Sequence, residues 1–176
     1  MPRAAKQGKK GTKPMGRAGH EPRGNNKGSI GYAVGAFDLF HIGHLNLIKQ
    51  AREHCDELII GVVSDDVLER TKGARPVIPE YERLEIVKNL SIVDRAVLET
   101  NEDRLETWKE LGFTVFFKGD DWKGTAKGRD LERRFAEVGV QIQYFPYTVH
   151  TSSSLLRRAL QSLDSASAKE SEAASQ

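Results

Sequence analysis

The run Glu57-Leu58-Ile59-Ile60-Gly61-Val62-Val63-Ser64 constrains the fold more than any other stretch of this 176-residue chain. Its apolar residues are consecutive rather than alternating. A strand with one wet face alternates apolar and polar side chains, so an unbroken apolar run fits a strand covered on both faces. Such strands belong to parallel sheets, whose crossover connections lay helices over both faces.

The flanking sequence agrees. Ile30–Gly35, Arg95–Leu98, Phe113–Lys118 and Val140–Phe145 read as further strands. Helical patterns fall between and after them. His44–Glu53 carries Leu45, Leu47, Ile48 and Ala51 at helical spacing, and Pro79–Leu90 has Pro near its first turn. Glu102–Leu111 ends at Gly112, Gly128–Val138 stops at Gly139, and Ser152–Leu163 closes the series. The alternation predicts an α/β protein: a doubly wound sheet of about five parallel strands, right-handed crossovers and helices on both faces. In such sheets ligands bind beyond the carboxyl ends of the strands, where the strand order reverses. Functional residues are therefore expected in the loops 35–44, 64–79, 118–128 and 146–154.

Charge is uneven along the chain. Residues 1–27 hold eight Lys or Arg against Glu21, a net +7, so the total of +2 leaves −5 for the remainder. Residues 1–28 have almost no large apolar side chain and read as a disordered basic tail, and 164–176 as a polar one. The basic tail is either a weak nucleic-acid or anionic-surface contact or a solubilising leader; the acidic remainder opposes wide contact with nucleic acid. The domain then spans 29–163. No apolar run is long enough to span a bilayer, and no signal peptide is visible. Cys55 is the only cysteine, which excludes an intrachain disulfide and a four-cysteine metal site and points to a reducing cytoplasm.

The first loop, Gly35-Ala36-Phe37-Asp38-Leu39-Phe40-His41-Ile42-Gly43-His44, joins a strand to a helix. Free amides and the positive dipole end of the helix make an anion site there. His41 and His44, three residues apart, lie on one side of a helical turn and can donate to phosphoryl oxygens. Zinc ligation is the alternative; it needs more ligands, and His54 and Cys55 lie one helix away on the wrong face. Asp38 either caps the turn or touches a ligand. The second loop offers Lys72, able to fold over a triphosphate from a mobile loop, and Arg83, which meets either a ligand or a neighbouring acid. In the third, Asp120, Asp121 and Trp122 precede Lys123 and Lys127. Carboxylates there can hold Mg²⁺ or accept from hydroxyls, and the lysines can hold a phosphate. The fourth, Tyr147-Thr148-Val149-His150-Thr151-Ser152-Ser153-Ser154, sets a row of hydroxyls at a helix start.

Phe37-Asp38-Leu39-Phe40-His41-Ile42-Gly43-His44 resembles the His-x-Gly-His signature of cytidylyltransferase-like nucleotidyltransferases. From about Ile30 to Leu160 the chain is similar to the bacterial glycerol-3-phosphate cytidylyltransferase family, above all at the first loop, Tyr81-Glu82-Arg83, Gly119-Asp120-Asp121-Trp122 and 151–154. The resemblance implies a Rossmann-like nucleotidyltransferase fold. The implied reaction is transfer of CMP from CTP to glycerol 3-phosphate, assisted by Mg²⁺, giving CDP-glycerol for teichoic-acid-type polymers and pyrophosphate. It implies that His41, His44 and Lys72 act on the triphosphate, and that the backbone at Ala36 and Phe37 contacts the nucleotide. Tyr147, Thr148 and Thr151 to Ser154 would line the CTP site. Asp38, Arg83, Asp120, Asp121, Trp122 and Lys123 or Lys127 would serve the acceptor, with no protein metal ligand assigned. Homodimers are frequent in the family. Ala36 replaces a common Thr, Tyr147 replaces an Arg, and the acceptor lysine aligns near Thr125. The alternative keeps fold and chemistry but uses ATP or another phosphorylated acceptor, as in FAD-synthetase-like adenylyltransferases.

Overall fold

Five parallel strands form one sheet in the order β3-β2-β1-β4-β5: β1 (Ile30–Gly35), β2 (Glu57–Val63), β3 (Arg95–Glu99), β4 (Val115–Gly119) and β5 (Gln141–Phe145). The computed structural model describes residues 28–146 and 151–173, with side chains through Leu163. The basic segment 1–27, residues 147–150 and the last three residues lie outside the described set. The chain winds outward from β1 through β2 to β3, then returns to place β4 on the other side of β1. Register Tyr32↔Ile59 on one flank and Tyr32↔Phe116 on the other fixes β1 at the centre. The order reverses between β1 and β4, so the crevice for a ligand opens above their carboxyl ends.

Both faces are covered, as the unbroken β2 run requires. On one face α1 (Ile42–Arg52) and α3 (Glu80–Lys88) bring Ile48, Ala51 and Val87 onto Ala33, Leu58, Ile60, Val62 and Phe117. On the other, α2 (Asp65–Lys72), α4 (Arg104–Leu111) and α5 (Ala126–Glu137) pack Val67, Leu68, Leu105, Leu131 and Phe135 against Tyr32, Ile59 and Phe116. Tyr32, Phe113, Phe116 and Phe135 form an aromatic cluster there, Tyr32 stacking on Phe113 with centroids 4.8 Å apart. Gly61 makes room for it: a Cβ at that position would fall 2.0 Å from the Tyr32 hydroxyl. That hydroxyl donates to the buried Glu99 carboxylate at 2.7 Å, which also accepts from Thr107 and pairs with Arg104 at 3.0 Å.

Two differences from the sequence pattern bear on the site. The segment 64–79 is not one loop. Ser64 caps α2 by accepting from the Val67 amide, and Gly73 ends the helix at φ 72°. Only Val67 and Leu68 face inward over these eight residues, so the apolar periodicity is too short to register. Lys72 therefore sits in the last turn of a helix rather than on a mobile loop. The final helix, α6 (Ser153–Ala173), continues through residues expected to form a polar tail. Ala, Lys and Glu propagate a helix well even where no core pattern exists.

Candidate active site

The first loop leaves β1 under conformational constraint. Phe37 and Leu39 both have positive φ, 52° and 49°, a region that side chains other than glycine seldom enter. Two anchors hold it there. The Phe37 ring is buried in the core and meets the edge of the His44 ring at 5.2 Å. The Asp38 carboxylate accepts from the Val77 amide at 3.1 Å and the Ile78 amide at 2.9 Å, and pairs with Arg157 of α6 at 2.7 Å. Burial alone raises the Asp38 pKa, but the two amides and the guanidinium outweigh it and hold the carboxyl below its ordinary range. Asp38 is thus a tie between the first loop, the loop before α3 and α6.

His41 is the N-cap of α1. Its Nδ1 accepts from the Gly43 amide at 3.0 Å, which leaves the ring proton on Nε2, 3.4 Å from the Ser153 hydroxyl. Ser153 in turn donates to the Asp38 carbonyl at 2.8 Å. The His41 and His44 rings stack with centroids 3.9 Å apart. Gly43 permits this: a Cβ there would lie 2.8 Å from His41 Cε1 and 2.9 Å from Nδ1. Burial pushes the His41 pKa down. Burial and the adjacent His41 push His44 to about 4. Both rings are therefore neutral at pH 7 without a ligand, and His44 Nδ1 is buried without a partner among the described residues. Anions arriving beside them would favour the protonated rings.

Two cavities meet above β1 and β4. The smaller, about 170 Å³, is lined by His41, Gly43, His44, Leu47, Lys118, Asp121 and Thr151 among others. The larger is a groove of about 810 Å³ over the α2, α4 and α5 face; its walls include Ala36, Lys72, Arg104, Lys118, Asp121, Trp122, Lys127 and Arg134. Val34, Lys118 and Asp121 belong to both.

Most of the residues expected from the sequence gather here. His41, His44 and Thr151 line the smaller cavity; Ala36, Lys72, Trp122 and Lys127 line the groove; Asp121 serves both. Ser152 accepts from the Leu155 amide and starts α6, next to Ser153 and Ser154. Asp120 and Lys123 are exposed and outside both linings. Tyr147 and Thr148, with His150, lie outside the described residues.

Arg83 is corrected. It is fully buried and donates to the carbonyls of Ala36, Ile78 and Val63 while pairing with Asp65 at 2.6 Å. It clamps three loop ends beneath the site rather than touching a substrate, and the substrate role expected of Asp38 gives way to its tie for the same reason. Among the described residues no group of three His, Cys, Asp or Glu side chains could hold a metal ion, so the zinc reading of His41 and His44 finds no further ligands.

Lys118, Arg104 and Arg134 were not singled out from the sequence. Arg104 and Arg134 are committed to Glu99 and Asp103. Lys118 is different: its ammonium lies 4.2 Å from the centroid of the Trp122 ring. Burial lowers its pKa to about 8, against the pull of Asp121. A lysine closing the apolar strand Val115-Phe116-Phe117 was the available signal.

Residues 32–159 match the cytidylyltransferase-like family model. The chain belongs to the cytidylyltransferase-like family. Its relatives include an FAD synthase from Thermococcus sibiricus, 31% identical over 130 residues, covering 73% of this chain and 88% of the relative. Another is an FAD synthase from Thermoplasma acidophilum, 31% identical, with 74% and 93% covered. The bifunctional protein HldE of Hyphomonas neptunium is 35% identical over 71% of this chain, which spans only 28% of that longer protein. Among solved structures, a lipopolysaccharide core biosynthesis protein from Thermoplasma volcanium superposes with TM-score 0.59 at 26% identity, covering 70% of this chain and 98% of that one. This cytidylyltransferase-like chain is an enzyme of the nucleotidyltransferase type. Its finer likeness to the glycerol-3-phosphate branch is not carried by these relatives. No described helix is long and apolar enough to cross a membrane.

Proposed function

We propose that the chain transfers an adenylyl group from ATP to the phosphate of a small phosphorylated alcohol and releases pyrophosphate. An acceptor phosphate oxygen attacks the α-phosphorus, the bond from that phosphorus to the β-phosphate bridging oxygen breaks, and pyrophosphate departs with that electron pair. The attacking phosphate is already ionised, so positioning and charge stabilisation carry the reaction rather than a general base. The observation that carries the reading is the stacked His41–His44 pair in one cavity, opening onto a larger groove above the strand-order reversal that carries Lys72, Lys118 and Lys127 beside Arg104, Arg134 and the acids Glu102, Asp103, Asp121 and Asp130. In this reading the triphosphate occupies the His41/His44 cavity, against the N-termini of α1 and α6, and the acceptor occupies the groove with Lys72, Lys127 and Trp122.

ATP is preferred over CTP because FAD synthases match this chain along most of their length. Mg²⁺ fits as a cation carried by the triphosphate. It binds through one or two carboxylates plus phosphates, and Asp121 is the carboxylate that lines both cavities. It would neutralise charge on the leaving pyrophosphate. CTP with glycerol 3-phosphate is the second reading, favoured by Gly119-Asp120-Asp121-Trp122 at the end of β4.

The test is a panel of nucleoside triphosphates against FMN, glycerol 3-phosphate and sugar phosphates, read by pyrophosphate release with Mg²⁺. ATP with one of these acceptors is the expected pair. A clear preference for CTP with glycerol 3-phosphate would favour the second reading, and no release with any pair would overturn both.

A further inference from the structure

The two cavities share three residues: Val34, Lys118 and Asp121. Val34 brings no polar side chain and Asp121 is an acid. Lys118 is thus the cation common to both among the described residues; Lys72, Lys127, Arg104 and Arg134 line only the groove, and the two histidines only the smaller cavity. If each substrate fills one cavity, the two reacting phosphates converge on Lys118, and they repel each other most where they must come closest.

We propose that Lys118 is a catalytic residue that bridges the substrates, its ammonium contacting both an α-phosphoryl oxygen of the nucleotide and the attacking phosphate of the acceptor. The inference rests on the nucleotidyl transfer proposed above. The way the side chain is held supports it. Lys118 projects from the end of β4, a central strand with fixed pairing to β1 and β5, so its base is rigid. Its ammonium rests over the Trp122 ring, 4.2 Å from the centroid, and not in an ion pair with a described carboxylate. A ring face holds a cation without using its N–H donors, so three donors stay available for phosphoryl oxygens. The two arginines of the groove lack that freedom, Arg104 being paired with Glu99 and Arg134 with Asp103, and Lys72 and Lys127 reach only the groove. Burial disfavours the charged ammonium and lowers its pKa to about 8, and anionic phosphates entering beside it would restore the charged form.

Three readouts on the full chain test this with Lys118→Gln and Lys118→Arg. The first is pyrophosphate release with the preferred substrate pair. Lys118→Gln is expected to lower kcat by about 10²–10³-fold, the loss typical of one transition-state charge donor, with each KM changed by less than about tenfold. Lys118→Arg should recover part of kcat. A kcat within threefold of wild type in Lys118→Gln would overturn the inference while leaving the functional reading standing; so would a rise in one KM alone, which marks a residue serving a single cavity.

The second readout is calorimetric titration with inorganic tripolyphosphate and, separately, glycerol 3-phosphate. It decides the matter even if the wild type transfers nothing and the functional reading fails. Both ligands should bind at least about threefold more weakly to Lys118→Gln; unchanged binding of either one overturns the bridge. The third is circular dichroism, where all forms should match. If Lys118→Gln does not fold, Lys118→Met replaces it under the same criteria.

Discussion

Replacing Arg83 with Met separates two accounts of one side chain. If Arg83 holds substrate, Arg83→Met weakens binding and leaves the fold alone. The structure requires the opposite. Its side chain is 0% exposed and that of its partner Asp65 18%, with the ion pair at 2.6 Å. Nε donates to the Ile78 carbonyl at 2.8 Å and Nη2 to the Val63 carbonyl at 2.9 Å, and Nη1 reaches the Ala36 carbonyl. Removing one member of a buried pair costs about 3–5 kcal/mol, because the remaining charge is left without compensation. The orphaned carbonyls overlap with that loss and do not add in full. For a domain of this length, that loss corresponds to a fall in Tm of about 10 °C. Thermal and urea unfolding of wild type and Arg83→Met measure it. Adding Asp65→Asn to Arg83→Met should recover part of the stability, since it removes the stranded carboxylate. Well below the lowered Tm, the KM for each substrate should stay within about threefold of wild type. A Tm within about 2 °C of wild type combined with a tenfold rise in KM would refute the clamp and return Arg83 to the substrate.

Four other outcomes follow from the same geometry. His41→Ala and His44→Ala should each lower kcat by about 10²–10³-fold in a folded protein, with His41→Ala also losing about 1 kcal/mol from the cap of α1; near-normal turnover in either would contradict their place at the triphosphate. The His44 pKa falls from its ordinary 6.5 to about 4, so between those values the unfolded chain binds a proton that the folded chain does not, and stability should drop as pH falls through that window. His44→Gln should flatten the pH profile of urea unfolding over that range. Gly61→Ala puts a methyl 2.0 Å from the Tyr32 hydroxyl and should destabilise by about 1–3 kcal/mol, visible as a lower urea midpoint. Asp38→Asn should cost about 2 kcal/mol by weakening the Arg157 pair and raise the KM for the nucleotide as the first loop and α6 loosen, checked by steady-state kinetics beside thermal unfolding.

What could be read from the sequence divides by physical cause. The sheet was legible because burial on both faces writes itself into consecutive residues, as in Leu58 to Val63, and because parallel strands demand crossover helices between them. The positions of His41, His44 and the Asp121–Trp122 turn followed from that topology, since loops at carboxyl strand ends have one crevice to face. Helix α2 was missed because it buries only Val67 and Leu68, and its caps, Ser64 and Gly73, read equally as turn residues. The roles of Arg83, Asp38 and Lys118 were illegible for a different reason. An arginine five residues beyond Ile78 and a lysine after Phe117 have the same local signature whether they meet protein or ligand. What separates them is long-range: whether another element supplies acceptors. Arg83 meets Asp65 and carbonyls from three loops, and Asp38 meets two amides and Arg157, so both are spent on the scaffold. Lys118 meets a ring face and two cavities, and so keeps its donors for a ligand. The charge that matters for function in this site is therefore the charge the fold leaves unpaired, which pairing across the tertiary structure reveals and spacing along the chain does not.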